Sequence, residues 1–543
     1  MPHRILLVTL NAKYMHASLG LRYLRANMER YGGPDLTLCT SLHEFTIHSA
    51  VKKIVDDLVV QCGPWDAQGV HIIGFGVYIW NVEQTLAVMR LLKDQRPDIR
   101  LVLGGPEVSH EWEQQAIVAQ ADYLITGWGD VSFPRLCHAL IHGPKPLMKV
   151  IAGVQAPLAE LDFPYDYYTA DDLAHRVLYV EASRGCPFKC AFCLSALDKT
   201  AWAFELEPFL AHLQSLFARG ARTFKFVDRT FNLKVDASVR ILEFFLDRIA
   251  RDPQDALFVH FELIPDHLPD SLKSCIARFP PGSLQFEIGI QSLNPQVQKA
   301  IARRQDTDKT RANIDWLVTQ SQAHLHTDLI FGLPGESWES FAEGFDTLWA
   351  WGPHEIQLGL LKRLRGTPLA VSAGPAMVFQ DSPPYAVIQT DALSPEQVVA
   401  FTRLARYWDL IANSGRFPAS LPLLLKGPSA FAAFADFSRW LWTTTTRTSG
   451  ISPEALVDAL YAYLTEVRAL PAPIVHAALL ADYRGSGARA KPLVLQSELT
   501  RAKTAQSAVG ESSARHSGRQ RRHLAGLDPQ PASPSQERSS HAT

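Results

Sequence analysis

Short apolar runs alternate with segments of helical period along the first 150 residues. Arg4–Leu10 reads as a strand, Ser18–Tyr31 as an amphipathic helix ended by Gly32-Gly33-Pro34, Leu36–Cys39 as a second short strand and Val51–Val60 as a helix. Val70–Val77 is an apolar run bounded by glycine, Val82–Lys93 is helical, Arg100–Leu103 runs into Gly104-Gly105-Pro106, and Asp122–Ile125 stops at Gly127. Strands that alternate with helices predict a parallel, doubly wound α/β sheet over 1–150, with any ligand beyond the carboxyl ends of its strands.

A proline-marked linker, Ala156–Pro164, precedes a second run of the same alternation. Strands are expected at Val177–Ala182, Thr223–Val227, Leu257–Glu262, Leu284–Ile290, His326–Phe331 and Glu355–Leu361, with helices between them such as Pro208–Arg219, Ala237–Arg251, Asp270–Phe279 and Thr310–Gln322. Six strand–helix repeats over 165–370 predict a partial (β/α)6 barrel with its chemistry at the carboxyl rim. Residues 371–495 are mainly helical, with Pro395–Ala412 the clearest helix. The composition then shifts to Ser, Arg, Gln, Ala and Pro, and 496–543 reads as a disordered tail without enough apolar surface to offset its ordering entropy.

Lys+Arg 53 against Asp+Glu 55 gives a formal charge of -2, so there is no global sign of nucleic-acid binding or of attraction to an anionic membrane. No apolar run reaches membrane-spanning length, and no small-residue cleavage site follows Ile5-Leu6-Leu7-Val8. Seven cysteines, three of them within eight residues, fit metal binding in a reducing cytoplasm better than a disulfide framework. Cys39, Cys62, Cys137 and Cys275 are scattered and read as small buried hydrophobes.

Arg184-Gly185-Cys186-Pro187-Phe188-Lys189-Cys190-Ala191-Phe192-Cys193 follows an expected strand directly, which puts three cysteines on a rim loop. A four-iron cluster normally takes four thiolates, one for each iron. Three thiolates, from Cys186, Cys190 and Cys193, leave one iron open for a small molecule, as an open position distinguishes catalytic from structural zinc sites. The alternatives are a zinc knuckle or buried structural cysteines. Zinc needs a fourth ligand nearby, and no Cys or His lies between Cys193 and His212.

This loop, with Phe192 before its third cysteine, resembles the cluster-binding loop of the radical S-adenosylmethionine (SAM) superfamily. Asp228-Arg229-Thr230-Phe231-Asn232, Glu287-Ile288-Gly289-Ile290-Gln291-Ser292 and Asp328-Leu329-Ile330-Phe331-Gly332-Leu333-Pro334-Gly335-Glu336 are similar as well, and the resemblance spans about residues 175–370. It implies a [4Fe-4S] cluster whose open iron is chelated by SAM, and reductive cleavage of SAM to a 5′-deoxyadenosyl radical. It also implies a reductant such as flavodoxin or ferredoxin. Phe192, Glu287, Gln291, Ser292, Gly332 and Gly335 are the candidate SAM contacts on this reading, since glycines permit close backbone approach and the polar groups can bond a nucleotide.

Leu10–Gly20, Val77-Tyr78-Ile79-Trp80-Asn81, Leu103-Gly104-Gly105-Pro106-Glu107 and Gly127-Trp128-Gly129-Asp130 resemble the cobalamin-binding domain found ahead of many radical SAM cores. Tyr78, Asn81, Gly104 and Gly105 are the corresponding candidate contacts. Cobalamin proteins that give cobalt a histidine carry D-x-H-x-x-G after the first strand; here Tyr14 stands where the aspartate belongs, so His16 reads as a cap or core residue.

Together the two resemblances imply a cobalamin-dependent radical SAM enzyme, a methyltransferase acting on an unactivated carbon of an unknown substrate. Two alternatives stand beside it: oxidation or cyclisation without methyl transfer, and a non-catalytic corrinoid- or metal-binding module. No catalytic side chain is singled out. Trp440-Leu441-Trp442 and Tyr461-Ala462-Tyr463 sit in helical segments, where aromatic pairs are more often core than pocket.

Overall fold

A computed structural model describes residues 3–66, 68–486 and 491–496, and the tail expected to be disordered lies outside them from residue 497 onward. The chain divides into two compact units, Met1–Thr402 and Arg403–Thr543.

The first unit opens with β1 (Arg4–Asn11), β2 (Thr40–Thr46), β3 (His71–Gly76), β4 (Arg100–Gly104), β5 (Tyr123–Thr126) and β6 (Val150–Ala152). They form one sheet in the order β2-β1-β3-β4-β5-β6, with every neighbouring pair parallel. All of β1 except Arg4 is buried, as a central strand covered on both faces must be. One covering layer uses Leu58, Val88 and Leu92, the other Leu36, Met28 and Leu140. Cys39, Cys62 and Cys137 are buried in these layers as small apolar groups.

Two expectations fail here. Leu36–Cys39 is not a strand but part of the helix Pro34–Cys39, and the second strand starts at Thr40. Pro34 at the first helical position, with Leu36 and Cys39 buried three residues apart, selects the helix. The long helix expected over 18–31 is two helices, Leu19–Ala26 and Met28–Gly32. Fully buried Asn27 separates them: its Nδ2 donates to the carbonyls of Tyr23 and Asp162, and its Oδ1 accepts from the Asp162 amide.

The second sheet runs β7 (Leu178–Val180), then, past the short hairpin of β8 (Ser183–Arg184) and β9 (Trp202–Ala203), β10 (Thr223–Phe226), β11 (Phe258–Leu263), β12 (Leu284–Gln291), β13 (His324–Phe331) and β14 (Glu355–Leu360). Its order is β14-β13-β12-β11-β10-β7, parallel throughout and following the chain without reversal, as a barrel wall does. β7 and β14 are the two free ends of that wall, so it stays open. An antiparallel pair, β15 (Val378–Phe379) and β16 (Val387–Gln389), closes the first unit.

The two sheets are joined by a buried ion cluster. Arg22 lies 2.9 Å from Glu44 on β2 and 2.8 Å from Asp172, and Arg176 lies 3.0 Å from Glu44 and 3.3 Å from Asp172. Asp172 is also the partner of Thr169 in a capping box that starts the helix Ala170–His175. Beside this cluster, His16 pairs with Val177 just ahead of β7, and its Nδ1 stands 2.7 Å from the Tyr179 hydroxyl. His16 is thus a joint between the two sheets.

The second unit is helical. Ala430–Thr445 buries Phe434, Phe437 and Leu441, and Tyr463 packs on Phe437 and Trp440 at ring distances of 5.0 Å and 5.3 Å. Phe434, Phe437 and Tyr463 are core, and Trp440 is half-buried beside them. Asp482 accepts from the amides of Ala419 and Ser420 and from the Ser420 hydroxyl.

Removing one partner from a buried ion cluster leaves the other charges unpaired, at a cost of about 3–5 kcal/mol. Arg22→Ala is therefore expected to lower the unfolding free energy of the first unit by about that amount in a urea titration. A change within experimental error would show that the cluster does not hold the sheets together.

Candidate active site

Two cavities open at the carboxyl ends of the two sheets. One, of about 220 Å³, lies at the rim of the barrel wall and is lined by Cys186, Cys190 and Cys193 together with Phe192, Glu287 and Gln291. All three thiols therefore reach one space. Among the described residues no three His, Cys, Asp or Glu side chains are gathered to share a single ion. Thiolates that each serve a different iron need no common point of convergence.

The loop is held from both sides. Asp228, 2% exposed, accepts from the Ala182 amide and the Ser183 hydroxyl just before it. Burial pushes that carboxyl up to about 7 against the pull of the Ser183 hydrogen bond. The Cys186 amide donates to Asp198 O at 2.9 Å, and the Ala191 amide to Ile301 O at 2.8 Å. Arg303 Nη1 stands 3.7 Å from Cys190 Sγ. Burial raises the Cys186 thiol, with Cys193 and Cys190 adding to the effect as like charges.

Gln291 carries the strongest sign of a ligand. The register between β12 and β13 shifts between Gly289 and Gln291, and Gln291 sits at φ 69°, a conformation rare for a residue with a Cβ. Its side chain is thereby turned into the cavity, and its buried Oε1 has no protein partner. Glu287 lies 3.2 Å from both Lys225 and His260. Burial alone raises that carboxyl, but the adjacent His260 imidazole and the Lys225 charge outweigh it and hold the group well below the usual range. A space lined by three thiols, an orphaned amide oxygen and an ionised carboxylate fits a cluster with a polar ligand on it.

Ser292, Gly332 and Gly335 lie outside this cavity. The Ser292 hydroxyl donates to Glu336, whose other oxygen is buried without a partner. Gly332 faces Val387, where an added Cβ would lie 2.6 Å from a methyl group. Gly335 has open space around it.

The second cavity, of about 500 Å³, runs over the carboxyl ends of β3, β4 and β5. Gly74, Gly76, Gly104, Gly127 and Gly129 leave it clear of side chains, which suits a bulky ligand lying along a sheet. Tyr78 and Gly105 line it as well. Gly105 also has a structural duty: at φ 112° an added Cβ would lie 2.4 Å from Val77 O. Asn81 does not line the cavity; its amide braces the loop by bonding Leu10 O and Gly76 O and accepting from the Tyr78 amide.

Arg184 escaped the sequence-based list of site residues. It lines the second cavity, two residues before the first cysteine of the other. Glu181 and Asp130 pair with it, and its guanidinium lies 4.7 Å from the ring centres of both Tyr23 and Trp128. Its position beside Gly185-Cys186 was the available signal. Arg303 follows a short helix and carried none.

Residues 180–348 match the radical SAM superfamily and residues 5–137 the B12 binding domain, while 376–521 match a protein of unknown function. The chain carries a B12-binding domain followed by a radical SAM domain. It is 25% identical over 352 residues to an uncharacterised methyltransferase of Pyrococcus horikoshii, across 59% of this chain and 70% of that protein. It is also 25% identical to the cobalamin-dependent radical SAM methyltransferase TokK of Streptomyces tokunonensis, across 53% of this chain but 47% of TokK, about half of the relative's length. Two solved structures share the fold. The radical SAM methyltransferase TsrM of Kitasatospora setae, with cobalamin and a [4Fe-4S] cluster bound, has a TM-score of 0.54 at 14% identity over 73% of this chain and 84% of its own. The cobalamin-dependent radical enzyme OxsB, with aqua-cobalamin bound, has a TM-score of 0.55 at 11% identity over 96% and 83%. The radical SAM domain implies a [4Fe-4S] cluster and SAM, and the B12-binding domain implies cobalamin.

Replacing Cys186, Cys190 or Cys193 with Ala is expected to abolish the iron–sulfur absorbance, while Cys39→Ala, Cys62→Ala, Cys137→Ala and Cys275→Ala retain it. A full cluster spectrum in Cys190→Ala would overturn the assignment.

Glu336 gives a pH test. Burial raises it from the ordinary 4.5 to about 7, against the Ser292 hydrogen bond. Between those values the folded state keeps a proton that the unfolded state has lost, so stability falls as pH rises through this window and is flat above it. Wild type is expected to lose up to about 3 kcal/mol between pH 4.5 and 8 that Glu336→Gln retains. Denaturant titrations with equal pH slopes for the two proteins would remove this account.

Proposed function

We propose that this enzyme transfers a methyl group from SAM to an unactivated carbon of its substrate. The observation that carries the reading is the meeting of the two cavities at one short segment, with Arg184 on one side and Cys186 on the other. The bound groups supply radical and methyl-transfer chemistry that no protein side chain provides. The chain holds, orients and shields them.

Cys186, Cys190 and Cys193 hold the cluster. Gln291 and Glu287 orient the polar end of its ligand, and Phe192, Leu263 and Pro265 cover the same cavity against water. Gly104 and Gly127 keep the corrinoid cavity open, and Tyr78, stacked on Trp80 at 4.5 Å, forms part of its wall. The methyltransferase relatives support methyl transfer over the oxidative alternative. A flavodoxin- or ferredoxin-type protein is the proposed electron donor.

Reconstituted anaerobically with cobalamin, SAM and a chemical reductant, the enzyme is expected to produce S-adenosylhomocysteine, the mark of methyl donation, and 5′-deoxyadenosine, the mark of reductive cleavage. Deoxyadenosine formed without any S-adenosylhomocysteine would replace methyl transfer with oxidation or cyclisation.

A further inference from the structure

We infer that residues 362–389, which follow the barrel wall, form a brace setting the separation of the corrinoid loop and the cluster loop, with Glu107, Arg365 and Tyr385 as its positioning residues. The inference rests on the assignment of the two cavities to these cofactors, not on methyl transfer.

At one end the brace grips the loop after β4. Glu107 follows Gly104-Gly105-Pro106 of the corrinoid cavity and is 5% exposed. Its Oε1 accepts from Arg365 Nε at 3.0 Å and from the Tyr385 hydroxyl at 2.9 Å. Arg365 Nη2 donates to that same hydroxyl at 3.0 Å, and its guanidinium lies 4.8 Å from the Tyr385 ring centre. Four residues along, Glu111 accepts from Arg363 Nη1 at 2.8 Å and from the Gly366 amide at 3.2 Å. Gly366, at φ 79°, touches this loop so closely that an added Cβ would lie 2.3 Å from His110 Cγ. No other residue type allows that approach.

At the other end the brace grips the cysteine loop. The Leu369 amide donates to Ala191 O at 2.9 Å, between Cys190 and Cys193. Leu369 is buried with Leu361 and Val387 in an apolar cluster against which Ala191 and Phe192 pack. Leu369 is only four positions after Arg365, a span of at most about 14 Å even when fully extended. The return strand stiffens it: the Arg363 amide donates to Tyr385 O and the Val387 amide to Leu361 O, both at 2.9 Å. A short, doubly tied segment with a buried charged clamp on one loop and a backbone bond on the other fixes the distance between them.

The test uses full-length protein loaded with cluster and cobalamin, as wild type, Glu107→Gln and the milder Tyr385→Phe. Cobalamin affinity and cluster absorbance are measured, together with the broadening of the cob(II)alamin electron paramagnetic resonance signal when the cluster is reduced, which reports the separation of the two centres. Glu107→Gln is expected to weaken cobalamin binding about tenfold and to alter the broadening, with Tyr385→Phe shifted in the same direction and cluster absorbance kept in both. Broadening unchanged in both variants overturns the brace, even if affinity falls, because a purely local role predicts that pattern. Wild-type protein that binds no cobalamin would instead remove the cavity assignment, and the brace with it.

Discussion

The first unit depends on a buried set of four charges, Arg22 and Arg176 against Glu44 and Asp172. Each comes from an element that must fold correctly for the charge to be paired. Arg22 stands on the first helix and Glu44 on β2, while Asp172 and Arg176 come from the segment leading into β7. Such a cluster adds little net stability over an apolar one, but it penalises every arrangement that leaves a member unpaired. The sheets therefore dock in one way, with His16 bridged to Val177 beside the joint. Docking in one way is what brings the carboxyl ends of both sheets to the same segment.

Backbone strain and an unmet polar group coincide at one residue of the barrel rim. Gln291 has a positive φ at a register shift, and its Oε1 is buried without a protein partner. Such features persist only when the surroundings over-determine them, and β12 is held on both sides by parallel neighbours. Asp228 has a different task. It is a buried carboxylate spent on the amide and hydroxyl that start the cysteine loop. The cysteine loop is thus held partly from outside the cysteines.

Much of this was legible in the sequence, for identifiable reasons. The central strands of the first sheet are mostly apolar runs, and the barrel strands repeat apolar positions between polar ones. The three cysteines carry their chemistry in their spacing. The segment 36–39 failed because four residues, three of them apolar, fit either period, and only Pro34 argued for a helix. Ser292 and Asn81 lie in segments of the right kind, but their side chains bond other protein groups. Sequence locates a rim loop; it does not say which of its residues turn inward. Arg184 reaches Asp130 54 positions away and Glu107 reaches Tyr385 278 positions away, relations no local pattern encodes.

Rigidity at the joint comes from one enclosed cation. Arg184 is paired with Glu181 and Asp130 and enclosed by Tyr23 and Trp128, and Trp128 also donates to Asp198 at 2.7 Å, next to the cysteine loop. To swing one sheet from the other, this cation would have to leave two carboxylates and two ring faces at once. A hinge at that point is therefore disfavoured. Positioning of this kind is settled during folding, by contacts made within the chain itself.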